Sequence, residues 1–279
     1  MKRSAESSTF SSKRTKASPK ESLAKTFKTA RYAKAKSAFA RNVRKVLEQE
    51  AEKKQIQYYE ANKFLVAYNA TAVTWQSTIF PVTPYGASLT INQGVGDGYR
   101  VGNRIKIHKL RLKGLICPTP YSVGNNPAPE PCMVRMWLMY DKENPNIIPQ
   151  PTTDFIQFGN TSQPLQGNMQ DMVSKVNTDR WVVKYEKLFK VGFATYGGTG
   201  TTAAFQSFTN NDFKLVNEFD IDLTDMVPKT YVFDDNTSIP ETRGLFMVFE
   251  AVPVNGIAPA TNTIPVEMSF SLDLQYTDV

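Results

Sequence analysis

The residue types that carry chemistry are thinly spread in this chain. Its 279 residues hold one histidine, His108, and two cysteines, Cys117 and Cys132. A Ser-His-Asp or Cys-His relay would have to use His108 as its base. That histidine lies inside a strand-patterned segment with neither cysteine beside it, and reads as an ordinary strand residue. Zinc takes four protein ligands, or three and a water. Two cysteines and one histidine fall short of that, so no metal site and no cofactor is expected. The glycines of "GVGDG" (94–98) lack the lysine and spacing of a phosphate-binding loop, and read as a turn. Asp234-Asp235 reads as a solvated turn. Cys117 and Cys132 bracket a loop and could in principle pair, but two thiols make no disulfide framework. Reduced thiols in an intracellular setting are the expectation. No catalytic constellation emerges, and the chain is not expected to be an enzyme.

Cationic side chains are the exception, because they are concentrated. Residues 1–47 carry nine Lys and five Arg against two acids, an excess of twelve positive charges. The remainder carries nineteen bases against twenty-four acids. A basic arm on a slightly acidic body points to a polyanion partner for the arm. Nucleic acid is the first candidate and an anionic membrane surface the second. No run approaches the ~18–20 apolar residues of a membrane span, and no apolar segment follows the first basic residues as in a secretory leader.

The elements that would position these charges are legible. Residues 1–18 are rich in Ser and Lys and have little to bury, so they are expected to be disordered. Lys2-Arg3 and Lys13-Arg14-Thr15-Lys16 are spaced like a bipartite nuclear import signal. Ser18, Pro19 and Glu21 then form a helix start, with Glu21 closing a capping box. From Pro19 to Lys54 there is no glycine and no further proline, so a helix is predicted over 19–54. Tyr32, Ala35, Phe39, Val43 and Val46 form its apolar stripe. Arg31, Lys34, Arg41, Arg44 and Lys45 project opposite. The nucleic-acid-binding set is Lys13, Arg14, Lys16, Lys20, Lys25, Lys28, Arg31, Lys34, Lys36, Arg41, Arg44 and Lys45. Glu48, Glu50 and Glu52 reverse the sign where the arm meets the body.

After Lys54 the period changes from 3.6 to 2. "VEMSFSLDLQY" (266–276) places Val266, Met268, Phe270, Leu272, Leu274 and Tyr276 on one face, as a half-buried antiparallel strand does. "WVVKYEKLFKV" (181–191) is read with Trp181, Val183, Tyr185, Phe189 and Val191 on one face. "FKLVNEFDIDL" (213–223) is read with Phe213, Leu215, Phe219, Ile221 and Leu223 together. "CMVRMWLMYD" (132–141) and "GLFMVFEAVPV" (244–254) are apolar throughout and read as central strands. In "NRIKIHKLRLKGLI" (103–116) Ile105 and Ile107 have one parity and Leu110 and Leu112 the other. One extra residue near His108-Lys109, a β-bulge, would return all four to the core. A further extended segment is expected within 64–80, and "TTDFIQF" (152–158) reads as a short helix. Long turn-rich connections and no βαβ alternation give an all-β fold. The expected form is a single jelly-roll antiparallel sandwich of about eight strands, preceded by the basic arm.

The segments "GDGYRVGNRIKIHKLRLKGLI" (96–116) and "VRMWLMYDKENPNIIP" (134–149) resemble the capsid proteins of circular, Rep-encoding single-stranded DNA viruses, the circovirus-like group. The residues that carry the likeness are Arg100, Gly102 and Ile105, then Val134, Arg135, Tyr140, Asp141 and Lys142. "RWVVKYEKLFKV" and the last alternating strand follow in the family's order, and the resemblance spans roughly residues 56–279. It implies a jelly-roll capsid domain over 55–279 and a nucleic-acid-binding arm over 1–54. It also implies a T=1 icosahedral shell of about sixty copies of this chain. The partners it implies are a single-stranded DNA genome, host nuclear import receptors and a cell-surface receptor of unknown kind. Lys2, Arg3, Lys13, Arg14 and Lys16 would serve import, with assembly in the host nucleus and a final place in the virion. The Lys- and Ala-rich, helix-prone arm departs from the Arg-dominated arm of many relatives. A non-capsid nucleic-acid-binding β-protein, and the capsid protein of a small RNA virus, are the alternatives. An enzymatic or carbohydrate-binding jelly roll with an incidental basic tail is a third.

Overall fold

The alternating segments pair as antiparallel strands, and their registers fix the architecture. A computed structural model describes residues 39, 41–43, 52–65, 79–85, 89–96, 98–121, 126, 129–143, 154–197, 204–235, 237–255 and 264–279. Contacts divide the chain into two units, Met1–Ala51 and Glu52–Val279, each described by itself. In the first unit, Phe39 and residues 41–43 are helical. The rest of the helix predicted over 19–54, and the tail 1–18, lie outside the described residues. Glu52 and Lys53 are not helical, and Lys54, the last residue assigned to the helix, opens a strand.

Among its described residues the second unit is all β. Its strands are β1 (Lys54–Leu65), β2 (Ile79–Pro81), β3 (Arg104–Pro118), β4 (Cys132–Asp141), β5 (Ile156–Phe158), β6 (Thr161–Gln163), β7 (Lys175–Val176), β8 (Trp181–Val191), β9 (Phe193–Gly197), β10 (Ala204–Phe208), β11 (Asn217–Asp222), β12 (Thr230–Val232), β13 (Phe246–Pro253) and β14 (Val266–Asp278). One sheet runs β1-β14-β3-β11, with β12 also on β3; a second runs β2-β13-β4-β8. The antiparallel pairs β4·β8, β3·β11, β2·β13 and β1·β14 are nested. The body is therefore one long hairpin rolled into two sheets, which is the jelly roll. The β1–β14 register brings Lys54 opposite Tyr276 across nearly the whole body.

The main core lies between the sheets. All six apolar residues of the even-numbered face of β14 are buried, each contributing roughly 1.5–3 kcal/mol over its exposed state. The bulge predicted in β3 is present. Gln275 pairs with Lys109 and Tyr276 with Ile107, which leaves His108 as the extra residue. Ile105, Ile107, Leu110 and Leu112 are all buried as a result. On the other side of β3 the partner strand breaks at the same level: β11 pairs with Arg111–Ile116 and β12 with Arg104–Lys106.

A second apolar cluster lies on the outer face of the β2-β13-β4-β8 sheet. Residues 154–177 fold over that face through the small sheet β6-β5-β7. Phe155, Ile156, Leu165 and Val176 of this cover pack with Trp137, Trp181 and Phe246 of the sheet. Two-sided burial is why β4 and β13 are apolar throughout. It also corrects three expectations. The segment 152–158 holds strand β5, not a helix; there the edge pairing with β6 and β7 outweighs a weak helical pattern. Strand β8 does not keep one face, because Leu138 pairs with Tyr185 and Met139 with Val183, making Lys184 a bulge. Tyr185, Phe189 and Val191 therefore face the main core, and Trp181 and Val183 the outer cluster. Leu215 precedes β11 and is exposed, so only Phe219, Ile221 and Leu223 keep the predicted inward face.

Gly114 is the one inward position of β3 without a side chain, and it lies between Phe270 of β14 and Phe219 of β11. The Phe219 ring covers the glycine, so a Cβ there would enter that ring and sit 2.8 Å from the Ser269 carbonyl oxygen. Gly114→Val is expected to destabilise the body by about 3 kcal/mol through overpacking, read as a lowered urea midpoint. A midpoint equal to the parent's would refute this packing account.

Candidate polyanion-binding and assembly surfaces

Of the residues assigned to nucleic acid from the sequence, Arg41 alone is described; it is helical and exposed. Lys13, Arg14, Lys16, Lys20, Lys25, Lys28, Arg31, Lys34, Lys36, Arg44 and Lys45 lie outside the described residues, as do Lys2 and Arg3.

The body has its own row of cations. Lys106, Lys109, Arg111 and Lys113 follow one another along the outer face of β3. The neighbouring strands set acids against them: Asp273 of β14 and Asp222 of β11 flank Arg111, and Asp220 flanks Lys113. Arg111 donates from Nε and Nη2 to the two Asp220 carboxylate oxygens, each at 2.6 Å. Hydrogen bonding from Arg111 holds the Asp220 carboxyl below its ordinary pKa, and bonds from Thr224 do the same for Asp222. Both acids are thus ionised at neutral pH, and with Asp273 they set three carboxylates against the four cations of the row. A shallow hollow of about 590 Å³ crosses this face beside Tyr59, Leu115 and Ser271. Exposed, bearing both signs of charge and partly apolar, the face is suited to protein contact more than to phosphate.

The residues that carry the family likeness prove to be structural. Arg100 is fully buried. Its guanidinium donates to the carbonyls of Gly102 (2.6 Å), Asp234 (3.2 Å) and Thr237 (2.7 Å) and to Asn103 Oδ1 (3.2 Å), and lies 4.6 Å over the Phe233 ring. It clasps the loop before β3 to the loop after β12. The turn at 94–98 sits beside this clasp, with Gly98 at positive φ, and its carbonyl accepts from the Tyr276 hydroxyl at 2.8 Å. Val134 and Tyr140 are core residues; the Tyr140 hydroxyl donates to the Met226 carbonyl, and burial pushes its pKa up to about 12. Asp141 is buried against Arg180 at 3.3 Å. Lys142 caps the Thr178 carbonyl at 2.6 Å.

Neither cysteine is set up as a nucleophile. Both cysteines are free. Burial pushes the Cys132 thiol up to about 12, and burial with the Glu267 charge raises Cys117; neither offers a thiolate. His108 Nε2 lies 3.0 Å from the Thr277 hydroxyl. No helix among the described residues is long and apolar enough to cross a membrane.

One polar centre escaped the reading of the sequence. In their interiors strands β4 and β13 each carry one charge, Arg135 and Glu250, and these two face each other across the sheet; the second charge of β4, Asp141, ends the strand. The signal was the lone opposite charges in two central strands, because a charge there needs a partner.

No family model matches the chain, and no curated protein matches it. Solved structures similar to it include the Macrobrachium rosenbergii nodavirus semi-empty VLP (12% identity, 82% of this chain and 94% of that one, TM-score 0.31). The mud crab tombus-like virus particle overlaps at 9% identity, 82% and 92% coverage and TM-score 0.30. The 60-mer of the BFDV capsid protein overlaps at 13% identity, 81% and 92% coverage and TM-score 0.24. Likeness at these scores decides neither assembly nor cargo. What the strand order and registers establish is that residues 52–279 are an all-β, antiparallel jelly-roll sandwich.

Proposed function

We propose that this chain is a viral capsid protein, a structural component that assembles into a small icosahedral shell. The jelly-roll body supplies the shell contacts, and the basic residues of 1–47 hold the packaged genome. The observation that carries this reading is the union of a jelly-roll strand order with segregated charge. The body carries more acids than bases, while the arm keeps twelve positive charges in excess. An arm of that charge neutralises roughly a dozen phosphates, driven by counterion release and indifferent to sequence. Lectins and cupins share the fold. A chain with one histidine is poorly equipped for the histidine-rich metal centre of a cupin enzyme.

The resemblance of residues 96–116 and 134–149 favours a circular single-stranded DNA genome, a shell of about sixty copies, and nuclear import through Lys2, Arg3, Lys13, Arg14 and Lys16. A basic arm grips phosphate rather than sugar, so an RNA-packaging shell is the second reading. Electron microscopy of the expressed full chain, followed by DNase and RNase digestion of its contents, separates the cases. Uniform spherical particles whose protected contents yield to DNase after disassembly are the expected result. Contents sensitive to RNase alone favour the second reading, and monomers or irregular complexes point to a non-capsid nucleic-acid-binding protein.

A further inference from the structure

Among the polar ties that fasten the cover, residues 154–177, over the outer apolar cluster, one is the Trp181 indole N–H of β8, which donates to the Asp154 carbonyl at 2.9 Å; another is a buried centre at Glu250. Glu250 of β13 is 1% exposed there and Asp171 of the cover 2%. Asp171 Oδ2 accepts from the backbone N–H of Gln166, and from that of Gly167 at 2.8 Å. The same Gly167 N–H also reaches Glu250 Oε1 at 3.1 Å. Arg135 of β4 donates to the carbonyls of Asp171 and of Ser174, the latter at 2.7 Å. Its remaining donors, Nε and Nη2, both go to Glu186 Oε1 of β8, at 2.9 and 2.7 Å.

Of the three carboxyl groups gathered here, one alone pairs with the guanidinium. Glu186 is half-exposed and takes the direct ion pair. Asp171 and Glu250 are left together out of water, and Glu250 Oε2 receives no donor. Two carboxylates cannot hydrogen-bond to each other, and both cannot stay ionised at close range in a dry site. One proton resolves both problems.

We propose that in the closed structure Glu250 is a carboxylic acid that donates its Oε2 proton to Asp171, and that this shared proton is a latch that closes residues 154–177 over the sheet and weakens as pH rises. Burial first, then the Asp171 charge and hydrogen bond, hold the Glu250 carboxyl well above the usual carboxylate range, against the Gly167 N–H and Arg135. The charged groups facing Glu250 are Asp171 of the cover and Arg135 of β4, with Glu186 of β8 behind the guanidinium. The closed cover binds a proton that the open cover releases. The closing equilibrium therefore weakens by about tenfold per pH unit between the ordinary carboxyl range and the raised one. The inference does not rest on the capsid reading.

The cover hides two indoles, which report on it. Trp137 meets Phe155 at 5.2 Å between ring centroids, and Phe155 meets Trp181 at 5.6 Å. Acrylamide quenching of tryptophan emission in the full chain is expected to rise severalfold as pH is raised from the ordinary carboxyl range. Glu250→Gln, which keeps a neutral donor but cannot ionise, is expected to abolish that rise. A rise that persists in Glu250→Gln, or its absence in the unmodified chain, overturns the latch. Infrared spectroscopy tests the proton itself even if that variant fails to fold. The Glu241 carboxyl is also raised, by Asp234, so the measurement is made in Glu241→Gln. A protonated carboxyl C=O band that persists above the ordinary carboxyl range and fades in step with the quenching is expected there, and absence of that band overturns the proposal.

Discussion

Deletion of residues 1–47 is expected to abolish nucleic-acid binding at physiological salt while leaving the body folded. The arm holds an excess of twelve positive charges. Each phosphate neutralised on a single strand contributes a slope of about −0.7 in log K against log salt, so full engagement gives a slope of about −8. Such a term is worth several orders of magnitude in affinity, and the body carries a net negative charge. Its row Lys106, Lys109, Arg111 and Lys113 is answered by Asp220, Asp222 and Asp273 on the adjoining strands. Fluorescence anisotropy with a labelled oligonucleotide over a salt series reads the slope directly. The truncated chain is expected to show a slope near zero and an unchanged strand spectrum by circular dichroism. Retention of the full slope would move the binding site onto the body.

The second large effect is expected at Arg100. Four acceptors converge on its guanidinium, three of them backbone carbonyls from two loops far apart in sequence. Truncation to Ala leaves those groups buried without a donor and removes the plane stacked on Phe233. Each buried group left unsatisfied costs about 1–3 kcal/mol, and relaxation recovers part of the total, so a net loss of about 4 kcal/mol is expected for Arg100→Ala. Arg100→Lys keeps the charge but not the planar fork, and is expected to recover less than half of that loss. Urea unfolding of the truncated body gives both numbers. A loss below about 1 kcal/mol in Arg100→Ala, the scale of a surface contact, would show that the clasp is dispensable.

Local pattern carried the strands wherever one face is wet. In β14 a single buried face imposes period 2, and that face is the predicted one. The β3 bulge was legible for the same reason, since a parity slip between Ile107 and Leu110 can only be absorbed by an extra residue. Continuous apolar runs likewise marked β4 and β13 as central strands, and pattern failed instead at the bulge of β8 and at the edge strand β1. Val182 and Val183 are equally apolar, so the bulge at Lys184 that divides β8 between two cores leaves no mark on parity. Strand β1 went unrecognised because it is an edge, with Ile56 and Tyr58 half-buried and polar residues between them. The likeness-bearing residues Arg100, Arg135 and Asp141 were visible as types, but not as buried clasps. Their partners come from loops and strands that the chain reaches only after rolling up.

By itself, the sequence determined that a strongly basic, helix-prone arm precedes an antiparallel β body, because charge and hydrophobic period are properties of neighbouring residues. Tertiary structure alone decided the nesting of the strand pairs, the second core beneath residues 154–177, and the buried meeting of Glu250, Asp171 and Arg135. Those depend on register between segments tens to hundreds of residues apart. Burial removes water as the default partner, so the ionisation and bonding of each group are set by whatever the fold brings beside it.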